Sequence, residues 1–232
     1  MIKRLLLIFA AAVTISNINV NAQKHDWAQF ARYEQANKEA AVSQIPSKRL
    51  VVFLGNSITD NWARMRPSFF TDNDFAGRGI SGQTSYQFLS RFRDDVINLH
   101  PRAVVINAGT NDVAENTHPY NEDRTFGNIV SMVELAKANN IKVILTTVLP
   151  AAGFGWNREI TDAPEKIKSL NARLEKYARK NKIPFVNYFT PLAARDGKSL
   201  SADFSNDGVH PTESGYEIME ATVLPVIRKI VK

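Results

Sequence analysis

Four short segments carry side chains that could do chemistry together: Gly55-Asn56-Ser57, Gly79-Ile80-Ser81-Gly82, Gly109-Thr110-Asn111-Asp112 and Asp207-Gly208-Val209-His210-Pro211. A serine hydroxyl is a poor nucleophile until a base takes its proton, and a neutral histidine such as His210 can do so near neutral pH. A carboxylate nearby can orient the imidazole and stabilise its cation, and Asp207 and Asp203 both lie close enough in sequence. Attack on an acyl carbon also builds negative charge on oxygen, which needs preorganised donors. Each segment has a purely structural reading as well. Gly-Asn-Ser is an ordinary helix-capping turn, Asn111-Asp112 can form an Asx turn, Asp207-Gly208 is a common turn dipeptide, and His210 can simply abut a helix.

The elements around these segments bear on the choice. Residues 50–54 are apolar at every position, the habit of a strand buried on both faces of a parallel sheet. Ser57 falls just past its carboxyl end, the edge where open α/β sheets hold ligands. A helix is expected from about Thr59-Asp60, limited by Pro67, and residues 75–80 read as a second strand. Phe88, Leu89, Phe92, Val96 and Leu99 recur at helical spacing through 85–99, and Pro101 closes that helix. Strands are expected at 103–108, 142–149 and 185–188, and helices at 126–138 and 167–180. The loop 151–163 carries Phe154 and Trp156, which could line an acyl or sugar pocket or pack on the sheet edge. A polar stretch at 196–210 leads into a last helix from Pro211-Thr212-Glu213 to Ile230, and another helix is expected over 26–42, ending before Ile45-Pro46.

Strands alternating with helices imply right-handed crossovers and a parallel sheet covered on both faces. The expected fold is α/β, a flavodoxin-like three-layer α/β/α sandwich with a five-stranded parallel sheet. In the strand order 2-1-3-4-5, the loops after the first three strands meet at the switch point.

At the N-terminus, Lys3 and Arg4 precede an apolar stretch from Leu5 to Ile15, and Val20-Asn21-Ala22 follows. That order reads as a secretory signal peptide over 1–22, whose apolar stretch of about eleven residues is too short to span a bilayer, and leaves one domain over 23–232. Loss of Lys3 and Arg4 lowers the formal net charge from +6 to +4. The other charges are interspersed with no basic patch among aromatics, so nucleic acid is not an expected partner. No cysteine is present, which excludes disulfides, thiolate metal sites, a cysteine nucleophile and a cysteine-linked lipid anchor. No stable membrane anchor is therefore expected. The four histidines, His25, His100, His118 and His210, show no paired ligand spacing, and no metal or cofactor is expected. Gly77 to Gly82 spells G-x-G-x-x-G, but a dinucleotide site requires that motif after the first strand, with an acidic residue about twenty positions on. Here the first strand ends in Gly-Asn-Ser, and the region near Pro101-Arg102 is not acidic.

Taken together and in order, the four segments resemble the blocks of the SGNH hydrolases, also called the GDSL esterase family. The likeness is nearest to its platelet-activating-factor-acetylhydrolase-like and bacterial polysaccharide acetylesterase branches. The resemblance implies Ser57 as nucleophile, His210 as base and Asp207, at the motif's three-residue offset, as the orienting acid. It implies an oxyanion hole made by the backbone N–H groups of Ser57 and Gly79 and the side-chain amide of Asn111. One departure is Asn56, where the name-giving pattern has aspartate; asparagine keeps an acceptor and loses the charge. The implied protein is an exported serine esterase acting on short-chain, above all acetyl, esters of a small molecule or an acetylated glycan. An acyltransferase, a lysophospholipid or thioester hydrolase, and a silent carbohydrate-binding protein on the same fold are the alternatives.

Overall fold

The computed structural model describes residues 26–42 and 51–231. The expected leader (1–22), the Ile45-Pro46 stop and Leu50 lie outside the described residues. Among those residues, β1 (Val51–Gly55), β2 (Phe75–Gly79), β3 (Ala103–Ile106), β4 (Lys142–Thr146) and β5 (Phe185–Val186) form one sheet in the order β2-β1-β3-β4-β5. Every pairing is parallel, and Val51 stands level with both Phe75 and Ala103. The helices are α1 (Glu34–Val42), α2 (Ser57–Met65), α3 (Pro67–Thr71), α4 (Ser85–Asp95), α5 (Thr110–Val113), α6 (Glu122–Ala138), α7 (Ala163–Lys180), α8 (Phe189–Leu192) and α9 (Glu213–Ile230).

β1, β3 and the centre of β4 are apolar at successive positions because each face has its own helical layer. Val52, Leu54, Val104, Ile106, Val143 and Leu145 pack with Phe92 of α4, Met132 of α6 and Leu170 of α7. Val51, Phe53, Val105 and Ile144 face the other way, against Trp62 of α2, Phe69 and Phe70 of α3, and Tyr216 and Met219 of α9. This is the three-layer α/β/α sandwich expected from the alternation of elements.

The second layer matters for the site. Trp62 stacks between Phe69 at 5.0 Å and Tyr216 at 5.6 Å, and the Tyr216 hydroxyl donates to the carbonyl of Ile58 (2.8 Å). Trp62 Nε1 donates to Glu220 on the next turn of α9. The start of α9 is thereby fastened to the first turn of α2.

Several element ends differ from their sequence-based positions, each for a local reason. β4 stops at Thr146 because both backbone polar groups of Val148 are taken by the Asn171 side chain, at 2.7 and 3.0 Å. β5 ends at Val186 because Thr147 Oγ accepts the N–H groups of Tyr188 and Phe189. The helix expected over 85–99 ends at Asp95 and tightens into a 3-10 turn, Ile97–Leu99, that keeps the apolar spacing. α6 starts at Glu122, since the Asn121 side chain caps the N–H of Arg124. The N-terminal helix is split into a 3-10 turn, Phe30–Arg32, and α1, with Gln29 in the left-handed region at φ 54°.

Candidate active site

β1 runs into Asn56, whose side-chain oxygen accepts the N–H of Ile58 at 3.0 Å, so this 1 % exposed amide is the cap of α2. An uncharged cap does the work that an aspartate would do there. Ser57 is the first residue of α2, two or three positions earlier than expected. Its N–H belongs to the first-turn donors that lack an intrahelical acceptor. The capping role of Gly-Asn-Ser thus falls to Asn56, which leaves the neighbouring Ser57 side chain free of it.

Ser57 Oγ lies 2.8 Å from His210 Nε2, although the residues are 153 apart in sequence. His210 Nδ1 is 2.7 Å from Asp207 Oδ2. The second oxygen of Asp207 accepts the N–H groups of Val209 (2.9 Å) and His210 (2.8 Å), which fixes the carboxylate on the loop it serves. Ser205 completes the loop, donating to the His210 carbonyl (2.8 Å) and accepting the Gly208 N–H. Asp203, the other candidate acid, is bonded instead to Ser201.

Partial burial works to raise the Asp207 carboxyl, but the His210 backbone and ring and the Val209 N–H outweigh it and hold the group at about 2. Its interactions therefore stabilise the fold fully above its ordinary value of 3.8, and that contribution is lost as pH falls through about 2. Melting curves between roughly pH 4 and pH 2 should show the parent chain losing more stability than Asp207→Asn. The difference should be small, because the side chain is 52 % exposed and screened by solvent. Equal pH slopes for the two chains would contradict this.

Asn111 sits in α5 and is 3 % exposed. It makes no Asx turn with its side chain. Instead Nδ2 donates to the carbonyl of Gln83 (2.9 Å), on the loop after β2. Next to it, fully buried Asp112 accepts from the N–H and hydroxyl of Ser85 and from Thr125, pinning α5 to the start of α4. Burial pushes the Asp112 carboxyl up, against the lowering effect of those donors.

These side chains open on a cavity of about 400 Å³ lined by Ser57, Asn61, Ser81, Gly82, Asn111, Asn116, Trp156 and His210. Gly79, the expected backbone donor, is not among them. A Cβ at Gly79 would lie 2.2 Å from the Asp60 nitrogen, so glycine there lets β2 press on α2, and its carbonyl accepts the Tyr33 hydroxyl. Gly82, three residues on and at φ 80°, reaches the cavity instead. Of the two loop aromatics, Phe154 is 3 % exposed and joins the core, 5.2 Å behind Trp156. Trp156 is 49 % exposed, faces the cavity and donates through Nε1 to Asn116 (2.8 Å). Asn116 in turn donates to the Gly82 carbonyl (3.1 Å).

Among the described residues, no group of three or more histidine, aspartate or glutamate side chains could hold a metal ion. A larger cavity of about 500 Å³, beside Lys137, Lys142, Lys182 and Lys229, has no serine, histidine or carboxylate in its wall. The sequence reading missed Gly82, Asn116, Asn61 and Ser205. Gly82 had a visible signal, since it closes the Gly-Ile-Ser-Gly segment; the other three are single polar residues in polar stretches.

A family model described as GDSL-like Lipase/Acylhydrolase matches residues 53–218. A candidate acylhydrolase from Bacteroides fragilis NCTC 9343 is 59 % identical, with a TM-score of 0.88 over 90 % of this chain and 100 % of its own. A GDSL-like lipase from Bacteroides thetaiotaomicron VPI-5482 is 62 % identical, with a TM-score of 0.84 over 87 % and 98 % of the two chains. An uncharacterized lipoprotein, YqeF, of Bacillus subtilis (strain 168) is 35 % identical over 80 residues, which is 33 % of each chain. The chain thus spans about a third of the length of that curated relative.

Proposed function

The chain belongs to the GDSL-like lipase/acylhydrolase family, and on the geometry of its site we propose that it removes short acyl groups, acetyl above all, from a glycan through an acyl-serine intermediate. The observation that carries this reading is the line Ser57–His210–Asp207, with contacts of 2.8 and 2.7 Å, opening on a small polar cavity.

In this reading His210 takes the Ser57 proton as Oγ attacks the ester carbon, and Asp207 holds the ring and its developing charge. The tetrahedral oxygen is met by the N–H groups of Ser57 and Gly82 and by the Asn111 amide hydrogen not given to Gln83. Collapse expels the sugar hydroxyl, which receives the proton from His210. Water then repeats the sequence on the acyl-serine and releases the acid.

The cavity walls favour a polar leaving group over a long acyl chain. Asn61, Ser81 and Asn116 offer amides and a hydroxyl, and the exposed Trp156 ring offers a face on which a sugar can lie. Hydrolysis of aryl esters should fall as the acyl chain lengthens beyond acetyl, and acetylated xylo-oligosaccharides should be deacetylated. Trp156→Ala should raise KM for the oligosaccharide roughly tenfold, about 1.4 kcal/mol, and affect an aryl acetate less. A preference for long acyl chains would overturn the reading.

Export is part of the same proposal, supported by the basic, apolar and small-residue order of the first 22 residues. Mass spectrometry of the mature N-terminus tests it. Among the described residues no helix is long and apolar enough to cross a membrane.

A further inference from the structure

Residues ahead of β1 lie outside the matched family region, which begins at Phe53, yet they are bonded to the loop that carries Gly82. Gln83 is the junction. Its side-chain nitrogen donates to the carbonyl of Ala28 (2.7 Å), and its side-chain oxygen accepts from Arg91 Nε (2.6 Å). Its backbone carbonyl accepts from Asn111 Nδ2 (2.9 Å). Both Gln83 and Ala28 are 1 % exposed, so the bond between them has no water as a ready substitute.

Further contacts run the same way. Gln87 donates to the carbonyl of Trp27, and Tyr33 donates to the carbonyl of Gly79 at the other end of the loop. The Arg78 guanidinium lies over the Tyr33 ring at 4.9 Å and donates to Asn37. Arg32 pairs with Asp60, which also accepts from Ser81 of the loop. Fully buried Arg91 ties the loop to the strand before Ser57, donating to the carbonyls of Gly55 and Arg78.

We propose that residues 27–33 are a strap that sets the oxyanion loop, with Gln83 and Tyr33 as positioning residues for the Asn111 amide and the Gly82 N–H. Neither touches the substrate. Both fix groups that must already be aimed when charge develops, which is where a displacement below an ångström lowers the rate. The inference rests on the esterase reading of the site.

Two variants of the full chain test it. Tyr33→Phe removes only the hydroxyl that holds the Gly79 carbonyl. Gln83→Glu keeps an acceptor for Arg91 and the backbone carbonyl for Asn111, but loses the donor to Ala28. Each should lower kcat on an aryl acetate roughly tenfold, below the roughly hundredfold of a full 1 Å misplacement, with KM little changed. Affinity for a boronic acid, whose adduct with serine mimics the tetrahedral intermediate, should fall with kcat. Combined with Asn111→Ala, Gln83→Glu should cost much less than it does alone, because the group it aims is gone. A purely structural strap would lower the melting temperature, leave kcat intact and give independent losses in the double variant; any of these kinetic results overturns the proposal. Should Gln83→Glu fail to fold, Tyr33→Phe decides alone. Ser57→Ala, measured alongside, separates the two failures: an active Ser57→Ala sinks the esterase reading, whereas an inactive one beside a fully active Tyr33→Phe sinks only the strap.

Discussion

Ser57→Ala is expected to fold like the parent chain and to lose on the order of a millionfold in kcat. The fold survives because Asn56, not Ser57, caps α2, and the Ser57 hydroxyl is directed at His210. Turnover is lost because no acyl-enzyme can form. His210→Ala should be as severe, and the double variant no worse than either, since serine without its base is as idle as the base without serine. Asp207→Asn should be milder, nearer ten-thousandfold, because asparagine can still accept the Val209 and His210 N–H groups that shape the loop. The measurements are steady-state rates on an aryl acetate, with circular dichroism and melting curves for folding. A folded Ser57→Ala chain that keeps most of its activity would exclude Ser57 as nucleophile. Finding Asp203→Asn worse than Asp207→Asn would mean that the acid is the other one.

What the sequence made legible follows from how the signals arise. The sheet order could be read because β1, β3 and the centre of β4 are short apolar runs, and parallel crossovers leave few topologies open. Ser57, Asn111 and His210 could be placed at one sheet edge because each follows a strand end or precedes a helix. Gly79 misled because two glycines three apart look alike in sequence. Only packing separates them: one is pressed against the backbone of α2, and the other turns toward the cavity. The strand ends were read too long for a related reason. Asn171 and Thr147 capture backbone groups from a distance, and no local pattern announces that. The contacts of residues 27–33 with the Gly82 loop were invisible because the bonds made by Gln83, Gln87 and Tyr33 go to carbonyls, which every residue has.

Asn111 gives the remaining large effect, and the structure changes what its variants should show. An Asx turn predicts a side chain that accepts, whereas this one donates to the Gln83 carbonyl and lines the cavity. Asn111→Ala therefore leaves a buried carbonyl unpaired, at a cost of about 1–3 kcal/mol in stability, whether or not the residue is catalytic. Stability alone cannot separate the roles, but kcat can. If the second amide hydrogen meets the oxyanion, the bond is made chiefly in the transition state. Asn111→Ala should then lower kcat roughly a hundred- to a thousandfold, with KM little changed. Asn111→Asp is the sharper test. Aspartate cannot donate to Gln83, and its carboxylate would face both that carbonyl and the oxyanion. It should be at least as destabilised as the alanine variant and turn over no faster. A folded Asn111→Asp enzyme with near-normal kcat would remove Asn111 from the oxyanion hole and leave it as the tie between α5 and the Gln83 loop.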